Sequence, residues 1–449
     1  MPLYLVGGAL RDHLLARPSR DWDLAGEAGW LEIFKQTAQR EKHAWFYLDE
    51  ESRQIRILLR EGGTVDFLPF PAGQGIGEDL ARRDFTVNSL ALDLASGELL
   101  DPAGGREDLA ARRLRMTSSR VFEDDPVRLL RGVRFAAWLG FAFEGGTRRS
   151  IKKQAALILK AAPERIRDEL FKLLELPQAY AGLRLLEKSG LFAVLFPEFE
   201  ATRGVGVNEE HLYDVYRHSF EVLKAADRTA GCGLKRFGAE SRLLGENFQT
   251  ELTPGRKRLA LFKLAALLHD LGKPGTLRVH SDQSLTFYGH PHLGGGIAGE
   301  IAARLALSGE ESAYLKQLVA NHMRPLLLAR QGTVSPRARY RLFRELGNRL
   351  PDLLLLALSD LRAGIGNKPE KVGEKAYLDL CRELLGEYYH PTRISAPPRL
   401  LNGHQIMQIL KIKPGPQVGE ILKELEEQIA LGRVRNKAEA KRWVAGKGL

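Results

Sequence analysis

The sequence predicts an α+β fold whose strands are confined to the N-terminal part of the chain. Two observations predict it: short β-rich runs separated by glycine turns extend only as far as the turn Asp101 to Gly105, and helical periodicity takes over from about Arg120. The runs Leu3 to Val6, Gln54 to Leu59, Thr64 to Leu68 and Thr86 to Leu94 read as strands of a small mixed sheet with helices. Helical runs follow at Pro126 to Leu139, Ala162 to Leu174 and Tyr180 to Leu195. Between Asp227 and Lys263 the periodicity weakens in a Gly-, Arg- and Glu-rich stretch, which predicts an inserted loop within a second helical region reaching about Glu387. Three prolines between His390 and Pro398 predict a linker, and Gly403 to Ala440 a compact helical tail.

At 449 residues the chain has room for roughly three domains. Its 67 Lys and Arg against 56 Asp and Glu leave a net charge of +11, a moderate excess that suits a polyanionic partner. The apolar stretches around Phe135 to Phe143 and Leu353 to Leu358 fall far short of the roughly 18 residues that span a bilayer, so no membrane segment is expected. The start MPLYLVGGALRD does not read as a signal peptide. Cys232 and Cys381 alone cannot form a disulfide framework or a thiolate zinc site, which fits a reducing cytoplasm.

The strongest chemistry lies in VGGALRDHLLARPSRDWDLAG. Gly7 and Gly8 follow an apolar strand and open a helical run, so backbone amides, the helix N-terminus and Arg11 can approach phosphates there. Asp21 and Asp23, two apart in a strand, present both carboxylates on one face and suit Mg²⁺. Alone, such a pair reads as surface turn acids; the glycine turn upstream reverses that preference. Asp66 in TVDF is the expected third carboxylate of a two-metal clamp, with Asp49, Glu50 and Glu51 competing for the role. Arg82, Arg83 and Asp84 precede the run Thr86 to Leu94, and adjacent guanidiniums suit triphosphate oxygens. Arg128, Arg131 and Arg134, spaced i, i+3, i+6 after Asp125 and Pro126, line one helical face that could meet base edges and phosphates. Phe135, Trp138 and Phe141 read as core rather than as stacking platforms.

Taken together, LVGGALRD, DWD, RRDFTVNSLA, DPAGGREDLAARRLR, DDPVRLLRGVRFAA and ERIRDELFKLL resemble the bacterial class II tRNA nucleotidyltransferase and poly(A) polymerase family over residues 1 to about 200. The resemblance implies a polymerase-β-like nucleotidyltransferase head at 1–120 and a helical neck at 121–200, followed by a helical domain at 201–389 with an insert near 228–258, and a tail at 399–449. It implies Gly8 and Arg11 against the incoming triphosphate, Asp21 and Asp23 as Mg²⁺ ligands, and Arg83 on the nucleotide. Asp125 and Arg128 would be the protein template that selects C or A, with Arg131 and Arg134 completing the pocket. The partners implied are CTP, ATP and the acceptor and T arms of tRNA, basic clusters such as Lys152, Lys153 and Arg337 to Arg344 adding salt-dependent contacts. Asp124 stands where the family usually has Glu. Only PFPAGQGIGEDLA separates Leu68 from the RRD motif, where members that add all of CCA carry a long flexible loop; this resembles the CC-adding subtype. The alternatives left open are full CCA addition and poly(A) synthesis.

A second set of residues resembles the HD phosphohydrolase superfamily. His269 and Asp270 end an apolar helical run in LFKLAALLHDLGKPGT, His218 supplies the distant histidine and Asp360 the late aspartate, with His290, His292 and His322 as further imidazoles. Such ligands suit Mn²⁺, Ni²⁺, Zn²⁺ or Mg²⁺, so a second divalent metal is expected here. A metal hydrolase whose head only binds RNA is the competing reading from another class.

Overall fold

The computed structural model describes residues 1–206, 213–364, 373–392 and 394–447. The chain divides into two compact units, one of Met1–Leu176 with Ala181–Pro197 and the other of Pro177–Tyr180 with Glu198–Leu449.

The first unit holds a seven-stranded sheet in the order β3-β4-β5-β2-β1-β6-β7, where β1 is Leu3–Val6, β2 Asp21–Gly26, β3 Ala44–Asp49, β4 Gln54–Leu58, β5 Thr64–Pro69, β6 Ala91–Asp93 and β7 Leu99–Leu100. β2 and β5 run parallel and every other neighbouring pair runs antiparallel. Alternation assigns the two faces. Ile55, Ile57 and Phe67 pack with Leu31 and Ala38 of helix Trp30–Arg40. Asp21, Asp23 and Asp66 belong to the opposite face, which that helix leaves open.

The expected strand from Thr86 to Leu94 is shorter than its composition suggests. Asp84 Oδ1 accepts from the Phe85 amide at 2.8 Å and the Asn88 side chain at 2.9 Å, drawing Thr86–Asn88 into a 3₁₀ turn and leaving Ala91–Asp93 to the sheet. Helix Arg128–Leu139 starts just beyond Pro126 and ends at Gly140, whose φ of +71° terminates it. It packs against helix Pro163–Leu174. The run Tyr180 to Leu195 is two helices, Ala179–Lys188 and Leu191–Leu195, broken by Gly190 at φ +81°.

The second unit is almost entirely helical. Helices Val215–Ala230, Arg258–Leu268, His290–Arg304, Gly309–Asn321 and Leu350–Gly364 carry its buried apolar residues. The stretch expected as an inserted loop is instead a 3₁₀ segment Cys232–Glu240, a helix Ser241–Gln249 and a short hairpin. Buried Leu234, Phe237, Leu244 and Phe248 pin it down, an apolar spacing that the intervening charges hide. A separate core of Ile406, Ile421, Leu425, Ile429 and Val444 builds the three-helix tail. Among the described residues no helix is long and apolar enough to cross a membrane.

Candidate functional site

Within the first unit, the eleven head and neck residues expected to bind metal or nucleotide all line one open cleft of about 1130 Å³: Gly7, Gly8, Arg11, Asp21, Asp23, Asp66, Arg83, Asp125, Arg128, Arg131 and Arg134. The turn after β1 sets one wall. Gly7 has φ +65°, and a Cβ there would come within 2.8 Å of Arg83 Nη1 and 3.0 Å of Asp23 Oδ2. Gly8 donates its amide to Asp23 Oδ2 at 3.0 Å.

Parallel register places Asp23 beside Asp66 and Asp21 beside Thr64, whose hydroxyl donates to Asp21 Oδ1 at 2.9 Å. Burial raises the Asp23 pKa, with Arg83 opposing and Asp66 reinforcing the rise. Arg56 on β4 grips Asp66 through both oxygens, at 2.7 and 2.6 Å. Asp49, one of the competitors for the third carboxylate, accepts the Glu51 and Ser52 amides in its own turn, while Glu51 lines the cleft.

The arginines are held by acids and rings. Arg83 Nε donates to Asp79 Oδ2 at 2.9 Å. Arg11 is 3% exposed, donates to Asn88 Oδ1 at 2.7 Å and lies 4.9 Å from the Trp138 ring centre. Trp138 is thus no core residue as its sequence context suggests; it is 36% exposed and lines the cleft, whereas Phe135 and Phe141 are buried. Arg131 Nε stands 2.8 Å from Asp84 Oδ2; burial alone would raise the Asp84 pKa, but Arg131, the hydrogen bonds from Asn88 and Phe85, and Arg128 together lower it. Arg134 donates to Glu169 at 2.5 Å, and burial lowers its pKa. Asp125 is gripped by Arg165 at 3.0 and 2.8 Å, while Arg128 Nε lies 3.7 Å away and Arg128 Nη2 donates to the Arg82 carbonyl. Sequence reasoning passes over Arg56 and Arg165, although Arg165 sits inside the ERIRDELFKLL motif.

The second unit gathers His218, His269, Asp270 and Asp360 from three helices and their ends, and adds His290 and His322. His292 stays outside, exposed on its helix. His218 Nε2 lies 3.0 Å from Asp360 Oδ1 and 3.5 Å from Asp270 Oδ2; His269 Nε2 lies 3.2 Å from Asp270 Oδ2. His290 and His322 face the other oxygen, Asp270 Oδ1, at 3.3 and 3.5 Å. The Nδ1 atoms of His269, His290 and His322 donate to the carbonyls of Ala266, Phe287 and Val319, which leaves each neutral ring with an Nε2 lone pair turned inward. His290 Nε2 and His322 Nε2 are 3.3 Å apart, a repulsive arrangement unless a cation or proton lies between them. His269 Nε2 and Asp270 Oδ1 are buried and form no hydrogen bond. Orphaned donors of these types fit a divalent transition ion. In its absence burial would lower the His269 pKa, yet Asp270 and Asp360 together push it up to about 10; burial lowers that of His322. Lys273 Nζ also meets Asp270 Oδ2, at 2.6 Å. Beneath the cluster, Asp352 accepts from Arg258, Tyr314 and Asn247 at 2.6 to 2.7 Å, all but sealed from solvent.

Elsewhere, Lys152 and Lys153 are exposed, while Arg337 and Arg339 pair with Glu427, Glu383 and Glu387.

Family comparisons match this layout segment by segment. A poly A polymerase head domain matches residues 3–70 and 69–115, a probable RNA and SrmB-binding site of polymerase A residues 140–202, an HD domain residues 215–360, and a putative tRNA nucleotidyltransferase domain 2 residues 382–443. The chain is 36% identical to an A-adding tRNA nucleotidyltransferase of Deinococcus radiodurans, over 98% of this chain and 94% of that one. It is 34% identical to a CC-adding tRNA nucleotidyltransferase of Geobacter sulfurreducens, over 99% and 92%. A CCA-adding enzyme solved with ATP shares the fold, with a TM-score of 0.63 at 21% identity across 99% of this chain and 91% of that one. Carboxylates facing a glycine turn and an arginine-lined helix, in a chain matched nearly end to end by such relatives, make this protein a nucleotidyltransferase of the tRNA nucleotidyltransferase family that carries a poly(A) polymerase head and an HD domain.

Proposed function

We propose that the protein adds two C residues to the 3′ end of tRNA from CTP, without a nucleic-acid template. The observation that carries this reading is the meeting of Asp21, Asp23 and Asp66 with the Gly7–Gly8 turn and the arginine face in one cleft. Oxygen donors suit Mg²⁺ held by Asp21 and Asp23, and an ion that also took Asp66 would displace Arg56 from it. When bound, Mg²⁺ supplies activation of the attacking oxygen and charge neutralisation on the phosphates.

The residues then divide the work. The Gly7–Gly8 turn, Arg11 and Arg83 orient the triphosphate. Asp125 and Arg128 read the base edge, with Arg131 and Arg134 closing the pocket; Arg165 fixes the Asp125 carboxylate. The RNA 3′ oxygen attacks the α-phosphorus and loses its proton, the bond to the bridging oxygen breaks, and pyrophosphate leaves. The tRNA acceptor and T arms rest on the basic helical and tail surfaces.

The choice of CC over CCA rests on the short connection after β5. Residues 70–75 and helix Ile76–Ala81 are all that separate Pro69 from Arg82, and Phe70, Pro71 and Ala72 line the cleft. Little chain is available there to reshape the pocket from C to A.

A second activity is favoured by the orphaned donors of the HD cluster, which we assign to a divalent metal and phosphate-ester hydrolysis. Purified protein given tRNA lacking its CCA, with CTP and then with CTP and ATP, tests the main reading at single-nucleotide resolution. Two added residues that never become three are expected. Three would establish full CCA synthesis, a ladder from ATP alone would establish poly(A) synthesis, and no addition would overturn the reading of C addition.

A further inference from the structure

We propose that Arg56 and Phe46 receive the 3′-terminal nucleotide of the acceptor RNA, its base stacked on Phe46; this rests on the nucleotide-adding function proposed above. The register places four side chains in a row across the sheet: Asp23 beside Asp66, Asp66 beside Arg56, and Arg56 beside Phe46. In-register partners share a face, so the row continues the carboxylate face outward to the edge strand β3. With strands about 4.8 Å apart, Phe46 lies about 10 Å from Asp66, a span comparable to one nucleotide.

In-line displacement decides which end of this row the acceptor uses. The groups suited to the triphosphate, the Gly7–Gly8 turn and Arg83, whose Nη1 lies against Gly7, sit at the end of β1 and so on the β1 side of Asp23. Pyrophosphate leaves toward that side, and the attacking oxygen arrives from the other, over β5, β4 and β3.

The surface there is chemically odd for bare solvent. Edge strands usually turn charge outward, yet Phe46 is 45% exposed, with Leu48 at 40% and Leu58 at 41%. Their neighbours Trp45, Tyr47, Ile55 and Ile57 fill the core on the opposite face. Arg56 spends Nε and Nη2 on Asp66, and its Nη1 makes no hydrogen bond among the described residues. An aromatic ring beside an uncommitted guanidinium nitrogen, at the acceptor end of a metal-acid row, fits a base and its phosphate.

Steady-state kinetics on Phe46→Ala, with CCA-less tRNA and CTP varied separately, tests this. Loss of one stacked base is expected to raise KM for tRNA at least fivefold, leaving KM for CTP and kcat at saturating tRNA unchanged. Phe46→Trp should restore the wild-type KM. Phe46→Leu, which keeps apolar bulk and so guards against a folding defect, should behave like the alanine variant. A tRNA KM within twofold of wild type in both Phe46→Ala and Phe46→Leu, or a rise confined to KM for CTP, overturns the assignment. Failure of the wild-type protein to extend tRNA would instead defeat the function on which it rests.

Discussion

Replacing Gly7 by alanine should damage both fold and chemistry, whereas the same change one residue later should spare the fold. At φ +65° an L-residue pays about 1–2 kcal/mol that glycine does not. The new methyl group would also sit 2.8 Å from Arg83 Nη1 and 3.0 Å from Asp23 Oδ2, so both must retreat by several tenths of an ångström. For a unit of this size the strain lowers Tm by roughly 2–8 °C. Displacing the carboxylate and the guanidinium to which metal and phosphate binding are assigned should together cost on the order of 100-fold in kcat. At Gly8, φ is not positive and a Cβ would meet Asp23 Oδ2 at 3.4 Å and Arg11 Nη2 at 3.5 Å, ordinary contacts. Gly8→Ala should therefore melt within about 2 °C of wild type, while the methyl group occupies space expected for phosphate and raises KM for CTP. Calorimetry paired with single-nucleotide extension separates the two. A Gly7→Ala protein with wild-type Tm and kcat would refute the role given to this turn.

Asp21→Ala should abolish nucleotide addition, by at least about a thousandfold if the carboxylate holds Mg²⁺, and leave any HD-site phosphatase activity unchanged; parallel assays of the two activities check it. Arg165→Ala removes a pair that is half exposed, worth at most about 1 kcal/mol, so Tm should hold. Freed from its clamp, Asp125 should discriminate less well, raising UTP misincorporation relative to CTP about tenfold in competition assays. In metal-stripped protein, the raised pKa of His269 contributes stability that is complete below its ordinary 6.5 and lost as pH rises through about 10. The lowered pKa values of Asp270 and Asp360 contribute stability present above 3.8 and lost as pH falls. The second unit should therefore lose Tm between pH 6.5 and 10 in chelator and regain it on adding Mn²⁺ or Ni²⁺, whose ligands must be deprotonated; a chelated Tm that climbs over that range would count against the cluster.

The cleft was legible because its residues lie at short spacings: a two-residue period for Asp21 and Asp23, a helical one for Arg128, Arg131 and Arg134. Asp66 could not be separated from Asp49 by sequence, since only the parallel register of β5 on β2 sets it beside Asp23. Arg56 and Arg165 are recognisable only once folding brings them against Asp66 and Asp125, far away in the chain. Trp138 misled because an aromatic residue in an apolar helical run ordinarily packs inward, and here two guanidiniums, Arg11 and Arg17, flank it at the cleft. His290 and His292 were equivalent by composition. A two-residue step on a helix turns roughly 200°, which sends one imidazole into the His–Asp cluster and the other to solvent.

The buried Asp352 ties together the two helices that carry His269 and Asp360. It precedes Asp360 by eight residues on one helix, about 12 Å, and its partner Arg258 precedes His269 by eleven residues, about 16 Å. The two helices are thus riveted at one end by an ion pair and converge at the other on the His–Asp cluster. A frame braced in this way has little room to contract or expand around its guest. It would sort cations by radius and geometry, and exchange them without the unfolding that accompanies metal loss from sites formed only upon binding.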